Sequence, residues 1–310
     1  MNISIIIPVK NGEKYLRDCL DSVFSQSFKG DYEVILGIDP STDKTYEIAK
    51  EYQKEHPNLI VEEREGRGVQ YNRMESLKRA AGKYICFLDA DDYYHKDYLK
   101  IMYEEIEKGY DVVNCSFFVA KNSRISKNMF TKTSDFDSAQ GCKAILKDSY
   151  MRGFLWTKIY RRELFNQKLP VLKAKRALFE DTLLTYYVFM SAKKIRSIKT
   201  PLYYYRFVET SATKEASSDR FFYHLFAFAF IRHLCDINAN PEYLKGFLST
   251  MFRSKLSLTY DKSVSKKVLG EEGKQRIKYF KPLLKDLSKK EKLDIAKYPE
   301  LEKYITETLN

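Results

Sequence analysis

Phe87-Leu88-Asp89-Ala90-Asp91-Asp92 runs from an apolar stretch straight into three carboxylates. Lys83–Leu88 has the length and composition of a core strand, so the acidic turn should sit at that strand's carboxyl end. Upstream, Ser4–Val9 is a short β-branched run ending near Pro8 and the turn signal Asn11-Gly12, and it reads as a first buried strand. Tyr15, Leu16, Cys19, Leu20, Val23 and Phe24 recur at helical spacing. Tyr32–Ile38 is a second strand, closed by Asp39-Pro40-Ser41-Thr42-Asp43, where Ser41 or Thr42 is placed to cap a helix over 43–55. Leu59–Glu62 is a weaker strand, and Arg73–Ala81 a helix that stops at Gly82. Downstream come a helix over Leu99–Lys108 and a strand over Asp111–Phe118. Strands alternating with helices predict an α/β fold, a mainly parallel sheet with helices on both faces. Such sheets bind ligands beyond the carboxyl ends of their strands. Lys10-Asn11, Asp39–Asp43 and Asp89–Asp92 all fall there.

After residue 120 the pattern changes. Residues 119–140 are polar and read as a loop or hairpin, 141–195 as helix, short strand, helix, and 200–213 as an extended tyrosine-rich stretch. From about 216 onward the chain reads as all-helical. Phe221–Leu234 is apolar on nearly every face but too short to span a bilayer, which predicts a buried packing helix. The expected organisation is one α/β domain over 1–215, in two parts (1–118 and 119–215), followed by a helical region over 216–310. The N-terminus lacks a basic segment and a cleavage site, so it reads as a strand rather than a signal peptide. Cys19, Cys86, Cys115, Cys142 and Cys235 are scattered and read as buried thiols in a reducing compartment.

Clustered carboxylates repel one another unless a cation sits among them. Oxygen donors without His or Cys select Mg²⁺ or Mn²⁺. Such an ion can hold a diphosphate and stabilise it as a leaving group. An isolated Asp-x-Asp triplet is commonly a solvated turn. This one follows a core strand and shares its edge with a second acidic turn, Asp39–Asp43.

The ordered set of motifs resembles the family 2, GT-A-fold glycosyltransferases. The match runs through Ser4–Asn11, Tyr15-Leu16, Leu20–Val23, Ser41–Asp43, Gly82–Ile85 and Asp89–Asp92. It resumes at Leu155–Tyr160, Phe179-Glu180-Asp181 and Pro201–Arg206, covering about residues 1–215. The nearest likeness is to bacterial enzymes that build or decorate cell-wall or capsular glycopolymers. The resemblance implies donor contacts from Pro8, Asn11, Asp39, Arg73, Asp89, Arg206 and Ser211, with Asp39 on the base and Arg206 and Ser211 over the phosphates. It implies metal contacts from Asp91 and Asp89, acceptor contacts from Trp156, Lys158 and Glu180, and Asp181 as general base. A sugar hydroxyl is a poor nucleophile until a base takes its proton, and a carboxylate suits that task when its pKa is raised. The first turn of a helix would also favour Asp181. The implied reaction is inverting transfer from a nucleotide-diphosphate sugar, with UDP as the expected nucleotide and Mn²⁺ or Mg²⁺ as cofactor. The implied acceptor is a hydroxyl of a glycan, teichoic-acid-like or lipid-linked molecule. The chain departs from the family pattern at Lys10, Ile38, Pro40, Met74 and Ser76, the first three of which line the nucleotide pocket.

The formal net charge is +12, and residues 241–310 hold 16 Lys/Arg against 10 Asp/Glu. An anionic polymer, an anionic membrane surface or plain solvation would each account for it. No helix-turn-helix, zinc-finger or RNP signature accompanies the charge, so nucleic acid is not an expected partner. The expected location is cytoplasmic, with peripheral attachment to the inner membrane face and oligomerisation through the C-terminal helices both open. Two other readings stay open: a transferase of another activated group on the same scaffold, and a catalytically silent carbohydrate-binding or assembly module. Of the histidines, His95 alone is near the acidic turn in sequence.

Overall fold

The computed structural model describes residues 1–121, 124–127, 131–147, 151–170, 180–208, 218–241, 243–245, 281–283, 285–287, 289 and 291–309. β1 (Ile3–Val9), buried along its whole length, is the axis of the sheet. It pairs in parallel with β2 (Tyr32–Ile38) on one side and β4 (Tyr84–Phe87) on the other, and β3 (Leu59–Glu63) extends the sheet beyond β2. Strand order therefore reverses between β1 and β4, the switch point at which open α/β sheets form a ligand crevice.

Beyond β4 the sheet is mixed. β9 (Lys158–Arg161) runs antiparallel between β4 and β6 (Val112–Lys121). β10 (Ile195–Arg206) lies parallel to β6, and β5 (Tyr93–Tyr94) pairs antiparallel with β10. β7 (Arg124–Lys127) folds back on β6, and β8 (Ser134–Phe136) pairs with the start of β10. β10 carries Pro201 inside it, where the register with β6 shifts; a bulge tolerates the missing amide donor.

Side chains alternate across a strand. Ile3, Ile5, Ile7 and Val9 of β1 share one core with α1 (Leu16–Phe24), α2 (Thr45–Glu55) and α4 (Tyr98–Ile106). The opposite face carries α3 (Val69–Arg79), which packs on β1 and β2. α3 begins earlier than the expected Arg73. Its buried residues include Gln70, Asn72, Arg73 and Ser76, so it shows no apolar stripe that would mark its start. Neither Ser41 nor Thr42 caps α2; instead the Asp43 carboxylate accepts the Thr45 amide at 3.1 Å.

The chain separates into two compact units. The first is Met1–Ser138, Phe154–Lys168 and Ser191–Glu209, and it contains the whole sheet. The second is Ala139–Gly153, Leu169–Met190 and Thr210–Asn310. It holds most of α5 (Ser138–Lys147) and α6 (Glu180–Ser191), with α7 (Ser218–Ile237) and α8 (Pro299–Leu309). Between Leu225 and Asp236 only Phe226 and His233 are even half-exposed, so this part of the apolar helix is packed within the protein. Arg232, fully buried, pairs with Asp236 at 3.2 Å and donates to the Lys289 and Glu291 carbonyls. No described helix is long and apolar enough to cross a membrane. All five cysteines are free and buried.

Candidate active site

The carboxyl ends of β1 and β2 are laced into one edge. Pro8 stands opposite Gly37 in the ladder. On the other side of β1 the β4 ladder ends at Ile6↔Phe87, so proline's missing donor costs no strand pairing. Asn11 takes a left-handed φ of 50°, a conformation asparagine tolerates. Its amide donates to Ser41 Oγ at 3.0 Å, and its side-chain oxygen accepts the Thr42 amide at 2.9 Å. The Asp39 amide donates to the Val9 carbonyl at 2.8 Å, which fixes the end of β2. Asp39 is buried, and its Oδ1 has no hydrogen-bond partner among the described residues. Burial pushes its carboxyl above the ordinary value, against the pull of Lys10, Asn72, Gly66 and Arg64. A buried acceptor left unpaired is costly, and a ligand N–H would remove the cost. Asn72 of α3 donates to the Gly37 carbonyl at 2.8 Å. It approaches so closely that a Cβ at position 37 would overlap its side-chain oxygen.

The acidic turn follows β4. Arg73 of α3 donates to Asp89 Oδ1 at 2.7 Å, its guanidinium almost fully enclosed. Burial, and then the neighbouring Asp89 charge, push the Asp91 carboxyl up to about 6. That is the penalty a divalent cation relieves. The donor set is oxygen only, as Mg²⁺ or Mn²⁺ requires. Among the described residues no three His, Cys, Asp or Glu side chains gather into a metal cage. A cation here would take one or two carboxylates from the chain and its other ligands from water and diphosphate, which is the usual habit of Mg²⁺.

The C-terminal end of β10 reaches the same turn through β5. Tyr203 and Tyr204 stand opposite Tyr94 and Tyr93. Asp92, 1% exposed, accepts the Tyr203 hydroxyl at 2.7 Å and the Arg206 amide at 2.7 Å. The Arg206 guanidinium pairs with Asp18 of α1 at 2.9 Å and lies over the rings of Tyr15 (4.7 Å) and Tyr93 (5.1 Å). Asp18, Asp92, Tyr15, Tyr93 and Tyr203 were not among the expected site residues. Tyr15, Asp92 and Tyr203 lie within the family-like motif segments and Tyr93 follows the acidic turn, whereas Asp18 carries no signal of its own.

Trp156 is buried in a stack with Phe154 (4.6 Å) and Tyr203 (4.3 Å). Lys158 is fully buried in β9, where its ammonium donates to the Phe154 carbonyl at 2.5 Å and to Thr157 Oγ1 at 3.1 Å. This corrects the expectation of direct acceptor contact by Lys158, because its ammonium is enclosed by the chain that it braces. His95 accepts the Asp97 amide on Nδ1 at 3.2 Å. Glu180 and Asp181 open α6 in the second unit, where Asp181 Oδ1 accepts the Thr182 amide at 2.7 Å. Ser211 lies outside the described residues.

The model for glycosyl transferase family 2 matches residues 4–169, which spans β1 through β9 and the acidic turn. The chain belongs to that family. Among curated relatives, the EpsH protein of Bacillus subtilis (strain 168) is 30% identical over 215 residues, covering 66% of this chain and 60% of EpsH. The poly(ribitol-phosphate) beta-glucosyltransferase of Bacillus spizizenii is 32% identical over 211 residues, covering 66% of this chain and 32% of that protein. The chain thus spans less than two thirds of the length of these relatives. The crystal structure of S. aureus TarS 1-349 in complex with UDP superposes with a TM-score of 0.70 at 25% identity, covering 99% of this chain and 90% of that one. The GT-A fold expected from the motifs is the fold found.

Proposed function

We propose that this family 2 protein transfers a sugar from a UDP-sugar to a hydroxyl of an anionic cell-wall polymer, with inversion at the anomeric carbon. The observation that carries the donor half is the unpaired, buried Asp39 Oδ1 at the same sheet edge as the Asp89-Arg73 pair and Asp91. A uracil N–H supplies the donor that Asp39 lacks. Pro8 and Asn11 line the approach to the base, Arg73 orients Asp89 beside the donor, and the Arg206 guanidinium faces the diphosphate. Asp91, with Asp89 beside it, holds Mn²⁺ or Mg²⁺. The bound ion supplies charge neutralisation of the leaving diphosphate. Asp181 removes the proton of the acceptor hydroxyl, and Glu180 and Trp156 belong to the acceptor side. The acceptor class is supported by the activities for which the relatives are named, poly(ribitol-phosphate) glycosylation in particular, and by the chain's own charge of +12. The membrane face and self-association through the C-terminal helices belong to the same proposal as ways of holding the enzyme near such a polymer.

The test is incubation with radiolabelled UDP-glucose and UDP-N-acetylglucosamine, Mn²⁺ and poly(ribitol-phosphate), reading label in the polymer. Transfer is expected, and Asp181→Asn should lower its rate by about 10²–10⁴-fold, the typical worth of a general base, with UDP affinity unchanged. Absence of transfer from either donor, with UDP binding intact, would contradict the acceptor assignment. A parallel fall in UDP affinity would move Asp181 into the nucleotide site.

A further inference from the structure

Four hydrogen bonds close a loop between the acidic turn and the end of β10. The Asp89 amide donates to the Tyr203 hydroxyl at 3.3 Å, and that hydroxyl donates to Asp92 Oδ2 at 2.7 Å. The Arg206 amide donates to Asp92 Oδ1 at 2.7 Å, and the Asp92 amide donates back to the Asp89 carbonyl at 2.9 Å. Both oxygens of Asp92 are thus spent on β10, one on a side chain and one on the backbone of Arg206 itself. Nothing of Asp92 remains for a ligand, since it is 1% exposed.

Tyr203 is held on its ring faces as well. It stacks on Trp156 at 4.3 Å and meets Tyr94 edge-on at 5.8 Å. The hydroxyl therefore has little freedom to follow a displaced partner. The Arg206 guanidinium is steadied separately by Asp18, Tyr15 and Tyr93. Fixed donors aimed at a developing charge need no reorganisation during reaction, which is why rigid supports of this kind affect affinity and rate.

We propose that Asp92 and Tyr203 are positioning residues that set where Arg206 stands relative to Asp89, and so set the span of the anion site that receives the donor diphosphate. The inference rests on the assignment of Arg206 to the diphosphate. Asp92 acts through Arg206, not on the ligand.

The test is a double-mutant cycle on UDP affinity, measured by calorimetry in Mn²⁺, with melting temperature recorded for each protein. Asp92→Asn keeps an acceptor for the Arg206 amide but turns a donor toward Tyr203. Tyr203→Phe keeps both ring stacks and removes only the hydroxyl, so it serves where Asp92→Asn does not fold. Each is expected to weaken UDP binding roughly tenfold in the wild-type background, about the worth of one well-placed hydrogen bond to a charged partner. In an Arg206→Ala background each should cost less than about twofold, because residues that act through one another are not additive. Rescue of Tyr203→Phe is not expected from raised Mn²⁺. Equal losses in the two backgrounds would overturn the positioning role while leaving Arg206 on the diphosphate. Wild-type UDP affinity in Arg206→Ala alone would overturn the assignment of Arg206 and the inference together.

Discussion

Asp39 and Lys158 show how differently two charged residues can fare in one sheet. Asp39 was legible from its place after a strand, because a carboxylate at the end of β2 has few structural reasons to be there. Lys158 was legible only as part of a motif. Its burial, with the ammonium spent on the Phe154 carbonyl and Thr157, follows from β9 lying between β4 and β6, which no local pattern announces. Asp92 was visible as one of three carboxylates, but its partners Tyr203 and Arg206 lie more than a hundred residues away. The sign of the Asp39 shift leads to a prediction. Burial raises its pKa above the ordinary 3.8, so the group contributes folding stability below that value and loses it as pH rises through the folded one. Ligand binding runs the other way, since the base N–H needs the carboxylate. The ratio of UDP affinities, wild type over Asp39→Asn, should therefore be largest where the carboxyl is fully ionised and shrink as pH falls through its raised value. The ratio cancels the ionisation of UDP itself. Calorimetry at several pH values checks this, and a ratio near one throughout would remove Asp39 from the base.

Among the elements, the strands were the most readable. β2 coincides with its expected span, and β1, β4 and β6 lie within a few residues of theirs, because short β-branched and aromatic runs bounded by turns leave little choice. α3 was the least readable, and its buried polar contacts explain why. A helix that turns Asn72 and Arg73 toward the strand ends cannot also carry an unbroken apolar face. β10 was expected at 200–213 but spans Ile195–Arg206; Pro201 obscures the strand, and the bulge that admits it leaves no signature. The contact between α3 and β2 is tight enough to test. Gly37→Ala places a methyl group onto Asn72, which must displace α3 or lose the bond to the Gly37 carbonyl. Overpacking of this kind costs about 1–3 kcal/mol. Denaturant unfolding should show that loss, and UDP affinity should fall with it because α3 carries Arg73. Unchanged stability would mean that α3 stands farther from the sheet than 2.8 Å hydrogen bonding implies.

The whole chain carries an excess of positive charge that the sheet does not need. Among the basic residues of the tail, Lys281 and Lys285 are exposed. Lys262, Lys266, Lys267, Lys274, Arg276 and Lys278 lie outside the described residues. Each Lys or Arg near an anionic surface is worth about 1 kcal/mol, and the attraction falls off within a screening length of about 8 Å at physiological salt. Sedimentation with phosphatidylglycerol liposomes should exceed that with phosphatidylcholine at low salt and disappear at high salt, and charge reversal in the tail should abolish it. Equal, negligible binding throughout would leave the tail a packing element. Over Leu225–Asp236, α7 is packed almost entirely within the protein.

The claim on which the rest depends is that the strand ends of β1, β2 and β4 hold a nucleotide diphosphate with a divalent cation at Asp91. Titration of UDP into the purified protein tests it most directly, in Mn²⁺ and then in excess chelator, for wild type and Asp91→Ala. The account predicts binding of one UDP per chain that weakens sharply in chelator. It predicts that Asp91→Ala starts weak and no longer responds to Mn²⁺. UDP binding equally tight in all four conditions, or absent from the wild type in Mn²⁺, would contradict it.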